Sequence, residues 1–121
     1  MVHIKIVVYI LQIITNEGNG YSVHTGVFTC PEAGMYLFIF TIGERGLNGA
    51  NGVATRLNVN SANKVDAVVD SFHTAQDLQG GNSLLVRLKV GDAVWIDTFG
   101  GHVEGSGGLR LTTFSGVFLY P

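Results

Sequence analysis

From residue 84 to residue 121 the chain reads LLVRLKVGDAVWIDTF, then a glycine-rich insert, then LTTFSGVFLYP. Leu84, Val86, Leu88 and Val90 alternate with Leu85, Arg87 and Lys89. A period of two puts one set on a core face and the other on a mostly wet face, the pattern of a half-buried strand. Gly91-Asp92 stops the run. Glycine tolerates positive φ and aspartate bonds local backbone, so this dipeptide reads as a hairpin turn into the next strand. A chain built this way folds as antiparallel sheet.

The same grammar runs through all 121 residues, enough for one domain and too few for two. Strand-like runs are expected near residues 4–15, 21–30, 35–42, 53–60, 64–70, 83–90, 93–99 and 109–120. Asn16-Glu17-Gly18-Asn19-Gly20, Pro31-Glu32-Ala33-Gly34, Asn48-Gly49-Ala50-Asn51-Gly52, Gly80-Gly81-Asn82, Gly91-Asp92 and Gly100-Gly101 separate them with turn chemistry. Short strands at regular spacing, without helical period, predict an all-β sandwich or barrel. Seventeen glycines without a Gly-X-Y period mark turns rather than collagen.

One run carries more than its own core needs. Over residues 35–42, Tyr36, Phe38 and Phe40 lie on one face and Met35, Leu37 and Ile39 on the other, so both faces are apolar. Phe114, Gly116 and Phe118 repeat this opposite Val117 and Leu119. An antiparallel strand requires one apolar face only. Charged residues make up 13% of the chain, against roughly 25% in ordinary soluble domains. Both observations predict an apolar surface covered by a neighbouring subunit.

Composition also excludes partners. The net charge is -2 and there is no basic run, which argues against nucleic acid and anionic membrane. The opening MVHIKIVVYILQII resembles a secretory leader. Gln12 interrupts it, no small-residue cleavage site follows, and its β-branched content favours a strand. It is too short and interrupted to span a membrane. The single cysteine, Cys30, sits in the apolar FTCP run and is read as a buried thiol.

Three blocks carry a family resemblance. Asn16-Glu17-Gly18-Asn19-Gly20-Tyr21 is followed by Thr25-Gly26-Val27-Phe28-Thr29-Cys30-Pro31 and Gly34-Met35-Tyr36-Leu37-Phe38. The second block runs from Leu84 through Gly91-Asp92-Ala93-Val94-Trp95-Ile96, and the third is Thr113-Phe114-Ser115-Gly116-Val117-Phe118-Leu119-Tyr120-Pro121. In this order and spacing they resemble the globular head domain of complement component C1q and its tumour-necrosis-factor-like relatives, over roughly residues 6–121. The resemblance implies a ten-stranded jelly-roll β-sandwich that assembles as a homotrimer. Residues 1–121 are then a single such domain. The family's Phe-Ser-Ala-like first-strand motif and stalk have no counterpart here, so the first strand is read as divergent or missing.

No catalytic constellation is read. Cys30 has no evident base, His24 lies in a strand-to-turn segment, and His102-Val103-Glu104 has no third ligand, so the chain is expected not to be an enzyme. Ligand selection falls to three loops, 45–51, 70–79 and 101–108. Their Arg45, Asn48, Asn51, His73, His102 and Glu104 offer amide and charged groups suited to sugar hydroxyls or carboxylates. Some relatives hold calcium near the top of the trimer axis; carried over, that implies Asp77 and Gln79 as oxygen ligands. The leading expectation is a secreted, lectin-like pattern-recognition trimer of innate immunity, binding microbial surface glycans or lipopolysaccharide through carbohydrate contacts. Two alternatives stand beside it: a trimeric signalling ligand engaging a receptor protein, and a purely structural trimerisation module. Arg45, Arg56, Arg87 and Arg110 are too few as exposed anchors to decide for the receptor.

Overall fold

The computed structural model describes residues 6–7, 16, 18, 20–44, 53–69, 78–100 and 112–121. Nine strands lie among them: β1 (Ile6–Val7), β2 (Tyr21–Ser22), β3 (Val27–Thr29), β4 (Gly34–Glu44), β5 (Val53–Val59), β6 (Ala62–Val69), β7 (Leu78–Leu88), β8 (Ala93–Gly100) and β9 (Thr113–Tyr120). Every pairing is antiparallel. One sheet runs β2-β3-β8-β5-β6, with β1 also on β8; the other runs β7-β4-β9. The expected all-β sandwich is therefore present. β3 pairs with the first half of β8, through Ala93, Val94 and Trp95. β1 continues along β8 opposite Asp97 and Thr98.

The core lies between the sheets and is made by alternation. Tyr36, Phe38, Phe40 and Ile42 of β4 are buried against Leu57, Val59, Ala67, Val69, Val94 and Ile96 of the larger sheet. Phe38 is the hub. Its ring lies 5.3 Å from Phe28, 5.9 Å from Tyr36 and 5.7 Å from Phe114. Gly116 sits opposite Phe38 in the β4–β9 register. A Cβ at Gly116 would stand 2.6 Å from the Phe38 ring, so glycine makes room for the hub.

Two turn expectations need correction. Gly80-Gly81-Asn82 is not a separator: β7 begins at Leu78 and pairs straight through, with Gly80 opposite Ile42 and Gly81 opposite Thr41. A side chain at Gly81 would collide with the Phe40 carbonyl, so these glycines serve close strand packing rather than chain reversal. The real reversal between β5 and β6 is Asn60-Ser61, at φ 49° and 73°, with Val59 paired to Ala62. Asparagine takes positive φ more readily than most residues, which suits a two-residue primed turn. The strand expected over residues 53–60 therefore ends one residue early, at Val59.

The Gly91-Asp92 reversal is present and is tied to this turn. Asn60 Oδ1 accepts from the Ala93 amide at 2.9 Å, and Asn60 Nδ2 donates to Asp92 Oδ1 at 2.9 Å. Asp92 Oδ2 accepts from the Lys89 amide at 2.8 Å. The Gly91 amide donates to the Cys30 carbonyl and the Cys30 amide to the Asp92 carbonyl. One end of the sandwich is thus held by side chains and backbone together.

Candidate functional site

The two sheets present outer faces of opposite character. On the three-stranded sheet the register sets Leu85, Leu37 and Val117 in one row, and Arg87, Met35 and Tyr120 in the next. Leu85 is 62% exposed, Val117 50% and Ile39 46%. The Arg87 guanidinium lies 5.8 Å from the Tyr120 ring centre at the rim of this face. Toward the other end it becomes hydroxylic, where Thr41 and Thr113 share a 2.6 Å hydrogen bond. The second apolar face read in residues 35–42 is therefore real.

On the six-stranded sheet the outer face carries polar side chains along its central strands, with Val68 of the edge strand β6 exposed. The register aligns Asp97 of β8 with Arg56 of β5 and Asp66 of β6. The next row sets Trp95 between Val27 and Asn58. Asp97 and Asn58 are each 1% exposed. Arg56 Nε stands 3.7 Å from Asp97 Oδ1. That distance gives charge attraction without a hydrogen bond. Neither Asp97 oxygen, nor Asn58 Nδ2, has a hydrogen-bond partner. Sequence reasoning missed this cluster because Arg56, Asn58 and Asp97 look like ordinary wet-face residues of alternating strands. The available signal was an aspartate inside the apolar run Trp95-Ile96-Asp97-Thr98-Phe99.

Cys30 is buried, as expected, and its surroundings suit a structural thiol. Cys30 Sγ donates to the Glu32 carbonyl at 3.1 Å and lies 3.6 Å from the Tyr36 hydroxyl. That hydroxyl donates to the same carbonyl at 2.7 Å. Burial, with the Cys30 contact second, pushes the Tyr36 phenol up to about 12. At the hairpin, the Lys89 amide first and Asn60 second hold the Asp92 carboxyl below its ordinary range.

Of the loop residues proposed from sequence, Arg45, Asn48, Asn51, His73, His102 and Glu104 lie outside the described residues, as does Asp77. Gln79 is described and exposed. It belongs to β7 opposite Gly43, not to a loop before the strand. Among the described residues no group of three or more His, Cys, Asp or Glu side chains could hold a metal ion, and no helix is long and apolar enough to cross a membrane.

A sequence profile of the C1q domain matches residues 3–119. Complement C1q and tumor necrosis factor-related protein 9 from Mus musculus is 37% identical over 114 residues, covering 90% of this chain and 32% of the relative. A complement C1q subcomponent from the same species is 33% identical over 114 residues, covering 91% of this chain and 42% of the relative. The chain thus spans well under half the length of these two relatives. Among solved structures, the globular domain of zebrafish complement 1qA superposes with a TM-score of 0.75 at 23% identity, over 94% of this chain and 84% of the other. That likeness establishes the jelly-roll fold.

Proposed function

The chain belongs to the C1q domain family, and on that premise we propose that it is a non-catalytic recognition domain acting as a homotrimer. The observation that carries this reading is the apolar outer face of β7, β4 and β9. Exposed Leu85, Ile39 and Val117 on one sheet are covered most simply by the same face of further copies. The proposed ligands are patterned ones, microbial surface glycans or lipopolysaccharide, met outside the cell. Likeness to a complement subcomponent supports that assignment. Three weak sites on one rigid particle give avidity that a single site lacks.

Calcium belongs to the same proposal, with Asp77 and Gln79 as ligands. Gln79, an exposed residue of β7, carries one amide oxygen per chain. Calcium takes six to eight oxygens, so the pair suffices only where three protomers meet. The relative named for tumor necrosis factor favours a second reading, a trimeric ligand for a receptor protein. Arg87 and Tyr120 at the rim of the apolar face would then be anchors.

The test has two steps. Sedimentation or light scattering first establishes the mass in solution. The verified particle is then applied to glycan and bacterial-lipid arrays with calcium and with chelator. Binding lost in chelator supports recognition and calcium together, and binding that survives keeps recognition alone. A trimer that ignores the arrays refutes the glycan reading and directs attention to receptor capture.

A further inference from the structure

We propose that the polar outer face of the six-stranded sheet is a ligand site for a saccharide hydroxyl, with Asp97 and Asn58 as its hydrogen-bonding floor and Arg56 and Trp95 beside them. The inference rests on the recognition reading above for its ligand class and moves the contact from the loops to a sheet face.

Three buried polar atoms on this face are orphaned. Both Asp97 oxygens and Asn58 Nδ2 are buried without hydrogen-bond partners. Native proteins rarely leave buried polar groups unpaired, and a buried charge without hydrogen bonds is costlier still. The register brings their residues to adjacent rows of one face: Asp97 and Trp95 are alternate residues of β8, and Arg56 and Asn58 their partners on β5.

Chemistry then narrows the guest. A carboxylate only accepts hydrogen bonds, and an amide nitrogen only donates them. A cation would meet Arg56 and the Asn58 donor, and an anion would meet Asp97. A neutral hydroxyl suits both, donating to Asp97 while accepting from Asn58. Trp95, half-buried across from Asn58, adds the aromatic surface on which the C–H face of a sugar ring can lie. Because Asp97 and Asn58 are so little exposed, entry follows movement of a neighbouring side chain. Association is therefore slower than for a preformed pocket.

An internal water carries the same hydroxyl chemistry, so the experiment must separate the two sources. The full chain, labelled with nitrogen-15, is titrated with methyl glycosides of mannose, galactose, glucose and N-acetylglucosamine. The side-chain signals of Asn58 Nδ2, Trp95 Nε1 and Arg56 Nε are followed, and the same preparation is run on the glycan array. Saturable shifts at these signals are expected for at least one glycoside. Asp97→Asn should raise its dissociation constant about tenfold or more, as expected for losing a charged hydrogen bond. Asn58→Ser is the second variant, and the titration of the unaltered chain needs neither. If the array binds while the three signals stay still, the proposal is overturned and the recognition reading stands; the floor then holds internal water. Shifts without array binding keep the site and refute that reading, and silence in both refutes both.

Discussion

Substituting Gly116 by alanine tests the packing logic of the core directly. The new Cβ would sit 2.6 Å and 2.9 Å from two carbons of the Phe38 ring. Relief requires a displacement approaching 1 Å, because carbon contacts are comfortable only near 3.5–4.0 Å. Phe38 has no room to yield: it is 0% exposed and packed between the rings of Phe28, Tyr36 and Phe114. Overpacking of this kind costs about 1–3 kcal/mol. For a domain of this size that lowers the melting temperature by several degrees. Urea unfolding at fixed protomer concentration should show a lower midpoint at unchanged slope. The decisive assay is a double-mutant cycle. Phe38→Leu alone loses packing, but in the Gly116→Ala background it also removes the collision. The pair should then be less destabilised than the sum of the singles, by about 1 kcal/mol or more. Additive effects would refute the claim that Gly116 exists to seat the Phe38 ring.

Three further perturbations read other parts of the structure. The Tyr36 phenol is raised to about 12, chiefly by burial; its neutral form is favoured by folding, so stability is full below about pH 10 and is lost as pH rises toward about 12. Tyr36→Phe should flatten that alkaline loss in thermal melts while costing about 1 kcal/mol at neutral pH. The Asp92 carboxyl is lowered by the Lys89 amide and Asn60; its contribution is present above about pH 4 and fades as pH falls through the lower folded value. Asp92→Ala should remove that part of the acid dependence and loosen exchange of the Lys89 amide. Val117→Asp puts a charge on the apolar face at a side chain exposed in the single chain, so sedimentation should show a folded monomer. An unchanged trimer would place the interface between protomers elsewhere.

Strand existence was legible in the sequence wherever alternation was strong. Both apolar faces of β4 and the alternation of Leu84, Val86 and Leu88 in β7 appear as expected, since period two is a direct image of the pleat; Val90, expected on the same core face, lies beyond the end of β7 and is 68% exposed. The errors came from residues whose role is tertiary. Gly80 and Gly81 have turn composition, yet the crowding that calls for glycine is visible only once Val68 and Val69 are placed against Gly80, and Phe40 and Thr41 against Gly81. Asn60-Ser61 lacks the glycine that usually announces a two-residue turn. The polar cluster was hidden for a related reason. Arg56 and Asp97 are separated by 41 positions, so nothing local says that they share a row or that Asp97 is covered. The loop residues from Arg45 to Asn51 and from His102 to Glu104 fall outside the described residues, so their proposed role rests on residue chemistry alone.

The opposition of the two outer faces has a consequence for how binding is organised. If copies meet through β7, β4 and β9, the sheet carrying Asp97, Asn58 and Trp95 is left facing away from the contact. Assembly and ligand capture then use different surfaces of one sandwich and can be separated by mutation. Val117→Asp should leave the glycoside-induced shifts at Asn58 and Trp95 unchanged, because Val117 lies on the other sheet. The same variant should lose binding to a dense glycan surface, because linked weak sites gain by effective concentration and a monomer does not. Asp97→Asn should do the reverse, keeping the trimer mass while losing the shifts. A variant that removed both properties at once would mean that the ligand site is completed by a neighbouring protomer, and the division of labour between the two faces would be wrong.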